Sequence, residues 1–285
     1  MVEKLQIVLI SVVRDFPMYE RLVRNNKYCG ECRFEIFDNR ESNLSITVRY
    51  NSFLNSYDYS KDAWFVFLHE DFEFLCPLHK SLEKLDKNKI YGAIGIKDVE
   101  TGLLVGCNLN STKDGERLRF LGIPVKKPIK VLTADCDCMI VHSSLVNRCN
   151  LRFDERLSFD FYTEDFQMAA MEKFGVETFV FPLKARHYSY GSYGARFYNQ
   201  RRYLREKYKN ASHVYRTTTN QLFGPLPEIV RIIYKSRIRN RFKWVKRIMR
   251  FFWYSKYSGD GIRRFRILRV PFKIPYAKMS DWFRS

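Results

Sequence analysis

Residues 63–75 read A-W-F-V-F-L-H-E-D-F-E-F-L. Six residues, Ala63 to Leu68, are unbroken apolar and mostly aromatic or β-branched; His69, Glu70 and Asp71 follow at once. A short apolar run closed by a turn reads as a strand buried on both faces. Strands inside open α/β sheets present their chemistry at their carboxyl ends. His69, Glu70 and Asp71 are therefore expected at the lip of a crevice. Carboxylates there suit a hard divalent cation that completes its shell with substrate phosphate. A charged turn that merely ends a strand is the alternative.

Working outward, Leu5–Val13 is a first strand, and Asp15 and Pro17 then start a helix with Tyr19 to Asn26 as its body. Arg33–Phe37 is a second strand that ends in Asp38-Asn39. A polar stretch runs to Asn51, and a helix is expected around Ser52–Tyr57. Beyond the central run come a helix near Pro77–Leu85 and a small-residue strand, Tyr91–Ile96. This alternation predicts an α/β fold with a mostly parallel, doubly wound sheet flanked by helices.

Residues 97–130 carry Gly102, Gly106, Gly115, Gly122, Pro124 and Pro128, which predicts loops and a hairpin over one end of the sheet. Core structure resumes over Val131–Val141, with Asp135 and Asp137 in it. Within Phe159–Lys173, Thr163-Glu164-Asp165 opens an amphipathic helix. Glu177–Leu183 is another buried strand, ending at His187, and Phe197–Lys209 is a basic helix. The composition turns polar and Pro-bounded around 210–227, so the reading divides the chain into a body, 1–210, and a basic, aromatic-rich region, 211–285.

At 46% hydrophobic and 16% aromatic residues the chain is no disordered composition. No apolar stretch reaches the ~20 residues that span a bilayer. No secretory signal opens it, and its seven cysteines are an odd number, several in apolar surroundings. Reduced thiols and a cytoplasmic location are the expectation. Cys29 and Cys32 form a CxxC without a second half, and Cys136 and Cys138 have the wrong spacing for a zinc ribbon.

Four features fall at carboxyl ends: Asp38-Asn39, His69-Glu70-Asp71, Glu164-Asp165 and His187. Together with F-V-F-L-H-E-D at 65–71, T-A-D-C-D-C-M-I-V-H-S-S-L at 133–145, L-R-F-D-E-R-L-S-F-D-F-Y-T-E-D-F at 151–166 and F-P-L-K-A-R-H-Y-S at 181–189, this order resembles the GT-A glycosyltransferases of family 2, in particular bacterial capsule and lipopolysaccharide enzymes. The resemblance spans about residues 5–190. It implies a GT-A, Rossmann-like fold and inverting, metal-dependent transfer from a nucleotide-sugar donor to a surface-polysaccharide or lipid-linked glycan acceptor. By the same resemblance Asp38, Asn39, Asn51, Glu70 and Asp71 belong to the donor side. Asx-turn chemistry competes for Asp38 and Asn51. Mn²⁺ or Mg²⁺ falls to Asp71, with His69 and His187 completing its shell; the chain has H-E-D where the family has D-x-D. Asp165, with Glu164, matches the general base that takes the acceptor's proton. The same residues also suit a helix start. Asp135 and Asp137 fall on the acceptor side, or on a plain polar strand edge. Gln200-Arg201-Arg202-Tyr203 approaches the Q-x-x-R-W signature of processive synthases but lacks its Arg and Trp.

The charge is uneven. Residues 225–285 hold 17 Lys and Arg against 3 Asp and Glu, so they carry +14 of the chain's +19. Within Glu228–Tyr257, Val230, Tyr234, Ile238, Phe242, Val245, Met249 and Phe252 recur at three- and four-residue steps among basic positions. A basic face opposite an aromatic one fits a helix lying in an anionic membrane interface. The expectation is a peripheral protein at the inner face of the cytoplasmic membrane, with no nucleic acid as partner. The rival reading is a nucleic-acid- or membrane-binding protein whose basic tail is the working part. It leaves the ordered acidic motifs unexplained.

Overall fold

A computed structural model describes residues 5–111, 118–189 and 194–225. The first half alternates: β1 (Ile7–Val13), α1 (Phe16–Tyr19), β2 (Arg33–Asp38), α2 (Ile46–Ser56) and β3 (Trp64–Leu68). A short strand β4 (Phe72–Phe74) and helix α3 (Leu78–Leu82) lead to β5 (Ile90–Gly92) and β6 (Ile94–Ile96). The glycine-rich stretch gives β7 (Leu104–Gly106), β8 (Asn108–Ser111) and β9 (Leu118–Leu121). Then come β10 (Ile129–Val131), β11 (Thr133–Ala134), β12 (Cys138–His142), α4 (Ser143–Cys149) and α5 (Tyr162–Phe174). The last described elements are β13 (Thr178–Val180), β14 (Ala185–His187), α6 (Ala195–Lys207), β15 (Tyr215–Arg216) and β16 (Leu222–Phe223).

The main sheet has seven strands in the order β10-β13-β5-β12-β3-β1-β2. β3 is buried along its whole length. Its side chains alternate between two cores, as the two-residue period of a strand requires. Phe65 and Phe67 join the core under α2, α5 and α6, with Tyr50, Phe53, Phe166 and Phe197. Trp64, Val66 and Leu68 join the core under α1 and α3, with Tyr19, Leu78 and Leu82. Tyr215 and Phe223 also pack into the first core, so residues beyond 210 are part of its packing.

Five strands (β1, β2, β3, β5 and β13) run one way, and β10 and β12 run the other. The sheet is thus mixed, mostly parallel, rather than uniformly doubly wound. The reason lies in residues 97–130. A parallel return needs a crossover connection, usually a helix. Here the chain leaves β5 at the carboxyl end of β3 and passes through small sheets and the edge strand β10 without a helix. It then enters the centre of the main sheet from that same end as β12, with Cys138 opposite Leu68.

Two local expectations also shift. Tyr91–Ile96 is divided at Ala93, with β5 in the main sheet and β6 in a three-stranded sheet, β11-β6-β7. Close packing enforces this: a Cβ on Gly92 would collide with Ala134, and one on Gly95 would lie 2.7 Å from the Thr133 carbonyl oxygen. The helix expected at 52–57 begins at Ile46, capped by Ser45, whose hydroxyl accepts from the Val48 amide at 3.4 Å. Thr47 and Val48, poor helix formers, hide that first turn.

A four-stranded sheet, β4-β14-β8-β9, stands over the carboxyl end of β3. In it His187 lies opposite Phe72 on one side and Asn110 on the other. This second layer brings a histidine from late in the chain back to the H-E-D turn.

Candidate metal centre and its acidic surround

His69, Asp71 and His187 offer ligand atoms that all lie within 4.8 Å of one another, the only such group of three or more among the described residues. His69 and Asp71 come from the turn after β3 and His187 from β14. His187 Nε2 is 3.2 Å from Asp71 Oδ1, and His69 Nδ1 is 3.9 Å from the same oxygen. The first is an ion pair when His187 is protonated but lacks hydrogen-bond alignment, and the second is too long for a hydrogen bond, so Asp71 Oδ1 and His187 Nε2 are buried with no hydrogen-bond partner.

The partners of His69 fix its tautomer. The Tyr162 hydroxyl donates to the Cys136 carbonyl at 3.0 Å, so toward His69 Nε2, 3.1 Å away, it accepts. Nε2 then carries the proton, and Nδ1 turns a lone pair toward a carboxylate oxygen. A lone pair facing a carboxylate repels it unless a cation lies between them. Buried atoms left unsatisfied are costly, and a divalent cation would satisfy these. The donor set therefore fits one: neutral imidazole with carboxylate suits Mn²⁺ better than Mg²⁺, which prefers oxygen alone.

Electrostatics agree. Burial alone would raise Asp71, but His187 and His69 outweigh it and bring the carboxyl down to about 2. Burial lowers His69 to about 4 despite Asp71, so its imidazole is neutral and ligand-competent at neutral pH. Burial would lower His187 too, yet Asp71 and Asp137 lift it to about 9. The field at His187 is thus one that attracts positive charge.

Asp135 and Asp137 occupy the turn between β11 and β12, beside this cluster. Asp135 is half-buried, and its Oδ1 accepts the Cys136 amide at 2.7 Å. Asp137 is buried, 3.7 Å from His187 Nδ1 through Oδ2, and its carbonyl accepts the His69 amide at 3.1 Å.

Glu164 and Asp165, adjacent in the first turn of α5, are both buried but sit in different surroundings. Burial and then the charge of Asp135 push Glu164 up to about 8; its own partner is the Thr163 hydroxyl at 3.2 Å. Asp165 faces α6, where Lys207 lies 2.7 Å away and the Tyr208 hydroxyl donates at 2.9 Å. Burial raises Asp165, with Lys207 and Tyr208 opposing. Lys207 also holds Asp154 at 2.8 Å, which ties α6 to the loop before α5. Neither acid caps the helix through its side chain: the cap position is Phe161, in the left-handed region at φ 62°.

The donor-side residues gather at the ends of β1 and β2. Glu70 Oε2 accepts the backbone amides of Arg14 (2.5 Å) and Asp15 (2.9 Å), which shapes the turn after β1. Asp38 is exposed and pairs with Arg40 at 2.6 Å. Asn39 folds its own loop, donating to the Leu44 carbonyl and accepting the Leu44 amide. Asn51 points elsewhere: it donates to the Phe153 carbonyl and Glu155, and accepts the Phe153 amide.

Sequence reading missed Tyr162, Lys207 and Phe159. Phe159 is 42% exposed, and its ring stacks on His69 at 5.6 Å. Its exposure and its contact with His69 arise only in the fold, so the sequence carries no signal for it. Lys207 reaches Asp165 from an ordinary basic helix, and no spacing announces that.

No family model and no curated protein matches this sequence. Among solved structures the chain is similar to the crystal structure of GalNAc-T7 with UDP, GalNAc and Mn²⁺, with 10% identity and a TM-score of 0.42 over 70% of this chain and 48% of that one. It is also similar to A197 from STIV, with 10% identity and a TM-score of 0.37 over 77% and 93%. The chain thus spans about half the length of the first of these proteins. Likenesses this loose say nothing of substrate or metal.

Proposed function

We propose that this chain is a metal-dependent, inverting glycosyltransferase of the GT-A type. It takes a sugar from a nucleotide-sugar donor to a bacterial surface polysaccharide or lipid-linked glycan. The observation that carries this reading is the His69–Asp71–His187 cluster at the carboxyl end of β3, with its buried, unsatisfied atoms turned toward one another. A nucleoside diphosphate leaves with developing negative charge; His69, Asp71 and His187 would hold Mn²⁺ or Mg²⁺, which would supply the positive charge that stabilises it. Glu70, by holding the turn after β1, shapes the donor side near Asp38 and Asn39.

The acceptor hydroxyl must lose a proton as the new bond forms. Of the acidic pair, Glu164 is the better acceptor for it, because Asp165 is engaged by Lys207 and Tyr208. Glu164 stands in the field of Asp135, the half-buried carboxylate. In this reading Asp165 anchors α5 to α6.

Incubated with Mn²⁺ and nucleotide sugars of several bases, the protein should slowly release nucleoside diphosphate even without an acceptor. No release from any of them, with the cation bound, would remove the reading.

The amphipathic stretch 228–257 lies outside the described residues. We propose that it serves anionic membrane, since such a surface offers both negative charge and an apolar layer. Protein lacking 228–285 should largely fail to sediment with vesicles containing anionic lipid that carry down the full chain. Equal sedimentation of both proteins, or tight tail-dependent binding of single-stranded nucleic acid with none to vesicles, would favour the rival reading.

A further inference from the structure

We propose that Asp137 is the positioning residue that aims His187 at the cation. This rests on the cation reading of the cluster and adds a residue to it. The two ring nitrogens of His187 face different carboxylates: Nε2 lies 3.2 Å from Asp71 Oδ1, and Nδ1 lies 3.7 Å from Asp137 Oδ2. The 3.7 Å gap is longer than a hydrogen bond, but once a cation sits between Nε2 and Asp71 the charge of Asp137 favours the proton on Nδ1. The far nitrogen then presents its lone pair as a ligand, and the imidazole becomes more basic. Asp137 stands behind Nδ1, and Nε2 is the atom that faces Asp71.

The placement of Asp137 is unusually constrained. It is 1% exposed, in the turn between β11 and β12. Its carbonyl accepts the His69 amide, so one residue touches both candidate histidine ligands. Asn108 of β8 donates its side-chain amide to Oδ2, while Oδ1 is buried without a hydrogen-bond partner. A carboxyl so buried needs a positive partner to stay ionised, and His187 is the imidazole beside it. If its task were only to accept from Asn108, a neutral amide would serve at lower cost. The charge makes physical sense if it acts through His187 on a cation.

Mn²⁺ affinity of the full chain tests this by calorimetry or by loss of the free-ion electron paramagnetic resonance signal, with no substrate present. Asp137→Asn keeps the shape and removes the charge. It should bind Mn²⁺ about 10- to 100-fold more weakly, the usual cost of losing such a partner. Asn108→Ala, which keeps the charge, should lower the melting temperature and leave Mn²⁺ affinity within a few-fold. Wild-type Mn²⁺ affinity in Asp137→Asn overturns the inference, and so does a loss of Mn²⁺ affinity that Asn108→Ala reproduces in full, which marks a purely structural residue. A wild-type protein that binds no Mn²⁺ removes the cation and this inference with it. Mn²⁺ binding weakened by Asp137→Asn, without any donor hydrolysis, leaves this inference standing and removes only the glycosyltransferase reading.

Discussion

Asp71→Ala should abolish the Mn²⁺-dependent part of nucleoside diphosphate binding while the protein stays folded. Asp71 is the one carboxylate of the three-residue cluster, and both imidazoles approach the same oxygen of it. Without it, the cluster keeps two imidazoles and has no carboxylate ligand. The loss of Mn²⁺ affinity should exceed the roughly 10- to 100-fold that goes with losing a second-sphere partner. The fold should survive because the backbone role of Asp71 persists: its carbonyl accepts the Tyr188 amide at 2.9 Å whatever the side chain. Melting of the metal-free protein gives an independent check. His187, raised to about 9 by its carboxylate neighbours, adds stability that is full below its ordinary pKa of about 6.5. That stability is lost as pH rises through about 9. Asp71, held at about 2, adds stability that is full above about 3.9 and lost as pH falls toward 2. The pair therefore helps most between about pH 4 and 6.5, and Asp71→Ala should lose most stability in that window. Nucleoside diphosphate affinity that responds to Mn²⁺ as strongly in the variant as in wild type would place the cation elsewhere.

Much of the frame is legible in the chain because burial on both faces leaves a plain mark. Ala63–Leu68 has no polar side, so it reads as a central strand, and the polar residues at its end mark the crevice. Less legible are features that depend on what a residue meets far along the chain. The division at Ala93 depends on Ala134 and Thr133 crowding Gly92 and Gly95. The reversal of β12 follows from a helix-free connection, and loop-rich sequence does not state to which end it returns. The pair Glu164-Asp165 is legible as a pair, but the different surroundings of its members are not. Helical geometry turns neighbours in a first turn about 100° apart, and only the arrival of α6 decides which one meets a lysine. Asp137 reads as a polar strand edge until Asn108 and His187 close around it.

That division of the acidic pair sets the last prediction. Glu164→Gln should lose at least ~100-fold in sugar transfer, the usual scale for a general base. It should keep Mn²⁺ and nucleoside diphosphate affinity, since Glu164 is not asked to touch either. Asp165→Asn should behave differently. It strips the charge that Lys207 answers at 2.7 Å, so it should lower the melting temperature and reduce transfer only in step with the weakened α5–α6 contact. The pH dependence separates the two roles further. Glu164 works as a base only when ionised, and burial beside Asp135 holds its carboxyl up to about 8. Transfer by wild type should therefore rise with pH toward that value, at a lower pH once a nearby cation is bound. The rise should be absent from the residual activity of Glu164→Gln. Stability runs the opposite way. A carboxyl raised in the folded state adds stability below its ordinary pKa of about 4.3 and loses it as pH rises through about 8. Glu164→Gln should thus gain stability relative to wild type across that interval, an effect that loss of a helix contact cannot produce. If Asp165→Asn instead loses ~100-fold in transfer with an unchanged melting temperature, while Glu164→Gln transfers at the wild-type rate, the proton goes to Asp165 and Lys207 must move aside for it.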